Sequence, residues 1–268
     1  MPRVYFPDDT YTTPEGQATP FASRFPSLFF AWTVFAIIRH DGKLATAGKY
    51  HGPEWSEGSY GTLKSLEHAG VRFYAEGIDN IDAMDGPCVY IANHMSTLET
   101  FVLPCFIQPR KPVTFVVKES LMGYPWFGPV LQSREPIVVK RRNPREDFTT
   151  VMEEGAERLG RGISVIVFPQ STRSTTLDPA QFNSIGIKLA KRVGVPVVPV
   201  ALKTDTWKVG RVIKDYGGLD VSKPVRFAFG KAMTIQGNGK AEHAAVCDFI
   251  AGHLGQWMLP GEEQGRIA

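Results

Sequence analysis

From about residue 62 onward, short apolar runs alternate with stretches whose apolar residues recur at helical spacing. The runs are residues 71–75, 88–92, 113–117, 136–139, 164–168, 195–201 and 225–229. Continuous rather than alternating hydrophobicity at that length predicts strands buried on both faces. Between them, Phe148, Val151, Met152, Ala156 and Leu159 mark one face of a helix. Further helices are predicted at about 182–192 and 241–254. The alternation predicts an α/β fold with a mostly parallel central sheet flanked by helices.

Upstream the pattern changes. Residues 1–23 are rich in Pro, Thr, Gly and acids with little periodicity, and read as a loosely packed arm. Residues 28–38 are apolar almost all the way round and are bracketed by Arg24 and Arg39-His40. As a helix this stretch is roughly 16 Å long, about half the hydrocarbon thickness, so it cannot span a bilayer. Two burials satisfy it: the lipid interface, which suits its aromatic residues and flanking arginines, or a dock on the main domain. Residues 41–60, with Gly42, Gly48, Gly52 and Gly58, read as a connecting stretch. The expected division is therefore 1–60, an arm with a short apolar N-terminal helix at the membrane interface, and 61–268, the α/β domain.

A chain of 268 residues with 43% hydrophobic content suits one large α/β domain plus an appendage. The net charge of +3 is weak, and the clustering at Lys140-Arg141-Arg142, Lys188 and Lys191-Arg192 matters more than the total. No basic–aromatic module points to nucleic acid. Cys88, Cys105 and Cys247 are widely spaced and form no C-x-x-C, so they read as buried thiols in a reducing compartment. The start of the sequence lacks the layout of a signal peptide, and a cytoplasmic location is expected. His40, His51, His68, His243 and His253 show no metal-ligand spacing, so neither a metal nor a cofactor is expected.

Ligands of parallel sheets gather where strand carboxyl ends open into loops, and His94, Lys118, Lys140, Arg141 and Arg173 lie just past predicted strand ends. The stretch Asn93-His94-Met95-Ser96-Thr97-Leu98-Glu99 follows the run at 88–92. A carboxylate five positions after a histidine, at the start of a helical pattern, can hold one imidazole nitrogen and leave the other as a general base. The same residues admit a second reading, because Ser96 and Glu99 also spell a capping box. After the run at 164–168 comes Pro169-Gln170-Ser171-Thr172-Arg173-Ser174, a dense set of donors. A guanidinium beside hydroxyls is what a phosphate monoester needs, although a polar turn with an exposed arginine has the same composition. Lys140 and Arg141 read either as a second phosphate contact or as a solvated basic face. No Gly-x-Ser-x-Gly elbow supports a serine hydrolase.

These motifs resemble a known family. Asn-His-Met-Ser-Thr-Leu-Glu resembles the first motif of the glycerophospholipid (lysophosphatidate) acyltransferases, Asn-His-x-Ser-x-x-Asp. Phe-Pro-Gln-Ser-Thr-Arg-Ser resembles the third, Phe-Pro-Glu-Gly-Thr-Arg-Ser. Val-Pro-Val-Val-Pro-Val-Ala resembles the fourth, and residues 136–141 stand where the second belongs. The likeness covers about residues 70–232, with four motifs in order.

The resemblance implies a fatty acyl transfer from acyl-CoA or acyl carrier protein to the hydroxyl of a lysophospholipid such as 1-acylglycerol-3-phosphate, with no cofactor. It implies His94 as base, Glu99 as its orienter and Lys118 as oxyanion stabiliser. Acceptor binding would fall to Asn93, Ser96, Lys140, Arg141, Gln170, Ser171, Thr172 and Arg173, with Arg141 and Arg173 on the phosphate. It implies an enzyme peripheral on the inner face of the cell membrane. Three positions depart from the pattern: Glu99 stands for aspartate, Gln170 for glutamate and Ser171 for glycine. The alternative they raise is an altered member that binds acyl lipid or carrier protein, or that acylates a non-standard lyso-lipid.

Overall fold

The computed structural model describes residues 4–170, 172–210 and 217–258. Among these, eight strands form one sheet: β1 (Thr10–Thr12), β2 (Phe73–Glu76), β3 (Val89–Ala92), β4 (Val113–Lys118), β5 (Ile137–Val139), β6 (Ser164–Val167), β7 (Val197–Lys203) and β8 (Val225–Phe229). Their order is β1-β2-β8-β7-β3-β6-β4-β5. Five neighbour pairs are parallel, and only β1–β2 and β7–β8 run antiparallel. This is the expected α/β fold.

Strand side chains alternate between faces, and β3 shows the consequence. Tyr90 and Ala92 enter one core with Leu63, Leu66, Val102 and Phe106, from helices α3 (Gly52–His68) and α4 (Leu98–Ile107). Val89 and Ile91 enter the other with residues of α6 (Pro144–Gly160), α7 (Ile185–Val193) and α8 (Lys240–Trp257). Both faces of the central strands are therefore covered, which is why they read as unbroken apolar runs. The helix expected at 182–192 begins three residues later, where Asn183 Oδ1 accepts the Ile185 N–H at 3.0 Å.

The N-terminal third differs most from expectation. Residues 1–23 are not a loose arm in their described part. Val4 and Phe6 are buried, Phe6 stacks on Phe106 at 4.3 Å, and β1 pairs with β2. The Tyr11 hydroxyl donates to Glu67 at 2.7 Å. So few apolar residues leave no readable period, yet they complete the sheet edge.

The apolar helix is longer than 28–38. After α1 (Pro20–Arg24), α2 runs Pro26–Thr46, and α3 occupies most of the stretch expected to be a connector. Glycines that suggest a loop serve close packing instead: a Cβ at Gly58 would collide with the Asp41 carboxyl, and one at Gly61 would sit 3.2 Å from Ile37. Residue 60 thus lies inside α3 rather than between two units. Phe30, Val34 and Ile38 of α2 are buried, whereas Leu28 and Trp32 are 65% and 67% exposed. Among the described residues, no helix is long and apolar enough to cross a membrane.

Candidate active site

β3 hands the chain to Asn93, whose side chain bridges to β7: its amide donates to Leu202 O and its oxygen accepts from Leu202 N, both at 2.8 Å. This fixes where the next residue leaves the sheet. The His94 ring lies 4.5 Å from that of Phe168, nearly parallel, and its Nδ1 is 2.9 Å from Glu99 Oε1. Glu99 sits in the first turn of α4 and is fully buried.

Its carboxylate also accepts from Met95 N (2.7 Å), Ser96 N (3.0 Å), Ser96 Oγ (3.1 Å) and Thr204 Oγ1 (2.6 Å). The two readings of the Ser-x-x-Glu pattern are therefore compatible, since one carboxylate closes the loop N–H groups and holds the histidine. Burial pushes the Glu99 carboxyl up, but the His94 contact, the Thr204 hydroxyl and backbone donation outweigh it and hold it below the ordinary range. An ionised carboxylate only accepts, which assigns the neutral ring's proton to Nδ1 and its lone pair to Nε2.

His94 opens on a cavity of about 1050 Å³. Lys118, at the end of β4, lines it, as do Arg141, Gln170, Thr172 and Arg173. Arg141 has a left-handed backbone, φ 57°, and the Lys140 and Arg141 N–H groups both donate to the Asp147 carboxylate at 2.9 Å. That clamp turns Arg141 toward the cavity at a cost of about 1–2 kcal/mol. Arg173 reaches across to donate to Thr97 Oγ1.

Gln170 is engaged within the protein. Its oxygen accepts the His94 N–H at 2.6 Å and its nitrogen donates to Thr176 O at 3.4 Å, while Ser174 N donates to His94 O at 2.9 Å. The loop after β6 is thereby stitched to the loop after β3. Of the residues expected at the site, His94, Lys118, Arg141, Gln170, Thr172 and Arg173 share the cavity. Asn93, Ser96 and Glu99 stand behind it as supports, Lys140 is exposed outside its lining, and Ser171 lies outside the described residues. Thr204, 105 positions from Glu99, was not foreseen; its only signal is a hydroxyl just past the end of β7.

Much of the remaining lining is hydrocarbon. Phe115 and Val117 of β4, Phe101 of α4, and Phe127, Val130 and Leu131 of α5 (Phe127–Gln132) line it. Polar groups thus meet an apolar channel at the histidine.

A model of the acyltransferase family matches residues 72–203. A 1-acyl-sn-glycerol-3-phosphate acyltransferase of Pseudomonas aeruginosa is 32% identical over 171 residues, covering 64% of this chain and 63% of that protein. The Escherichia coli protein of the same name is 30% identical over 124 residues, 46% of this chain and 50% of its own length. The matched stretch thus spans less than two thirds of these relatives. The crystal structure of the 1-acyl-sn-glycerophosphate acyltransferase PlsC from Thermotoga maritima shares the fold, with a TM-score of 0.68 at 18% identity over 88% of this chain and 96% of that one. Residues 72–203 thus match the acyltransferase family model, and the chain shares its fold with that structure.

Proposed function

We propose that the protein moves a fatty acyl group from a thioester to the free hydroxyl of a lysophospholipid such as 1-acylglycerol-3-phosphate. The observation that carries this reading is the 2.9 Å contact between His94 Nδ1 and a buried, ionised Glu99 at the mouth of an apolar channel. His94 Nε2 takes the proton of the acceptor hydroxyl as its oxygen attacks the thioester carbonyl carbon. The Lys118 ammonium faces the oxyanion that forms. Collapse breaks the carbon–sulfur bond, and the imidazolium returns its proton to the departing thiolate. A base of this kind contributes about 10²–10⁴-fold in rate. Glu99 favours the imidazolium and fixes the ring, and Thr204 and Ser96 hold its carboxylate in place.

Arg141 and Arg173, which both line the cavity, would hold the acceptor phosphate, and the apolar lining suits the acyl chain of the donor, whether carried on coenzyme A or on acyl carrier protein. The exposed apolar side chains of α1, α2 and the residue between them, Phe21, Phe25, Leu28, Trp32 and Phe35, support docking on a membrane surface, with Arg24 beside them for anionic headgroups. The reduced cysteines, all three buried and free, fit the cytoplasmic leaflet. An intact dyad supports catalysis over the alternative of a silent lipid-binding member.

The test is transfer from a long-chain acyl thioester to a panel of lysophosphatidate, glycerol 3-phosphate, phosphate-free monoacylglycerol and a lyso-aminolipid. Preference for lysophosphatidate is expected. Lipid binding without transfer to any of the four would replace the reading by the binding role.

A further inference from the structure

The apolar stripe on α2 does not end with the helix's own side chains. Leu28, Trp32 and Phe35 recur at spacings of four and three, all exposed, and the next positions in that register are Arg39 and Gly42. Gly42 has no side chain to offer, and Trp126, from the segment between β4 and α5, packs against it: a Cβ at Gly42 would lie 2.5 Å from the Trp126 Cβ. The Trp126 ring meets Phe35 edge-on, with centroids 5.6 Å apart. Trp126 thus takes the place in the stripe that the helix leaves open.

Its backbone is strained in making that placement. The Phe127 N–H donates to Pro125 O at 2.6 Å around a Trp126 φ of 59° and ψ of −41°, a γ-turn of the rare, strained hand. Such strain in a bulky residue calls for a reason, and here it leaves a large indole 40% exposed instead of burying it. Tyr124, two residues earlier, is also exposed, and with Leu121 and Phe127 of the same segment it lines the cavity that holds His94. Trp126 therefore joins the exposed stripe to the cavity wall. Arg24, Arg39 and Lys43 are exposed along α1 and α2, whereas the one acid of α2, Asp41, is buried. Aromatic side chains edged by cations, with no exposed acid on either helix, suit an anionic bilayer surface, where indole rings settle at headgroup level. A second copy of the chain fits less well, because it would set these cations against one another.

We infer that Trp126 inserts beside Phe35 into the headgroup region of an anionic phospholipid bilayer, so that the segment 119–132, which walls the cavity, rests on the membrane. The inference rests on the membrane docking read from α1 and α2. It adds a second element to that surface, one that belongs to the α/β domain and borders the reaction cavity itself.

Among the described residues, the exposed indoles are those of Trp32 and Trp126. The experiment reads tryptophan fluorescence of the full chain carrying Trp32→Phe, mixed with vesicles of phosphatidylcholine and phosphatidylglycerol that bear brominated acyl chains. Quenching is expected, and adding Trp126→Phe is expected to remove most of it at an unchanged melting temperature. In cosedimentation with the same lipids, unbrominated, Trp126→Ala is expected to weaken partition about tenfold relative to wild type. Equal quenching with and without Trp126, or partition that Trp32→Ala weakens and Trp126→Ala does not, overturns the inference and leaves docking through α1 and α2 standing. A wild type that binds no vesicle removes the docking and the inference together. Dimerisation in solution that Trp126→Ala abolishes, with no quenching by lipid, would give the face to a second copy instead. Quenching at Trp126 without acyl transfer to lysophosphatidate would keep this surface and remove the acyl-transfer reading.

Discussion

Glu99 and Asp41 are both buried carboxyls beside one cavity, and they are driven in opposite directions. Glu99 receives donors from His94, Met95, Ser96 and Thr204 and is held ionised, below the ordinary range. Among the described residues, Asp41 receives only the Tyr50 hydroxyl, and burial lifts it to about 6. The difference shows that burial sets the penalty on charge while donor count decides whether the charge survives it. The first carboxyl is thereby held charged beside the imidazole, and the second is driven toward its neutral form.

The comparison breaks first at Glu99. Glu99→Ala leaves the Thr204 hydroxyl and two backbone N–H groups facing a void, and frees the imidazole. The turnover number is expected to fall about 10²–10⁴-fold, together with the melting temperature. Activity within a few-fold of wild type would show that His94 needs no orienter. Arg173→Ala is expected next, raising the KM for lysophosphatidate about 10–100-fold through a lost charge-assisted contact. A comparable loss on phosphate-free monoacylglycerol would make the arginine structural, through its bond to Thr97.

Thr204 sharpens the contrast because it is the donor most remote in sequence. Thr204→Val is expected to lower turnover about tenfold, and Thr204→Ser, which keeps the hydroxyl, to restore most of it. If the serine variant is as slow as the valine one, the effect is packing and not the hydrogen bond.

The smallest effect belongs to Asp41. Its folded pKa is raised, so the native state binds the proton more tightly than the unfolded chain, and stability is greatest below about pH 4 and declines as pH rises through about 6. Asp41→Asn is expected to stabilise the protein by about 1–2 kcal/mol at pH 7.5 and to change little at pH 4. Denaturant titrations at the two pH values check this, and an equal effect at both would assign the change to the Tyr50 contact instead of the charge.

Much of the surroundings of His94 was legible because local sequence determines them. A buried strand, a histidine and a carboxylate five residues on lie within one loop and one helical turn, and the strand ends placed Lys118, Arg141 and Arg173 on a common rim. What escaped was long-range or masked by composition. Thr204 meets Glu99 only because β7 is next to β3, and no spacing encodes that neighbourhood. Gln170 read as a substrate contact because a polar turn after a strand gives no sign that its amide is consumed by the His94 backbone. α3 was hidden by Gly52, Gly58 and Gly61, which as loop residues mean flexibility; at the crossing with α2, Gly58 and Gly61 remove the Cβ that would collide with Asp41 or crowd Ile37, and at Gly52 a Cβ would meet the Gln108 side chain. Asp41 stands in that same crossing, so its burial was hidden along with it.

The measurement that bears most directly on the account is acyl transfer from a long-chain acyl thioester to 1-acylglycerol-3-phosphate, by wild type and His94→Ala side by side, with matched melting curves. Robust transfer by the wild type and a loss of at least about 10²-fold in the folded variant are predicted. Equal transfer by the two proteins would contradict the assignment of His94 as the base.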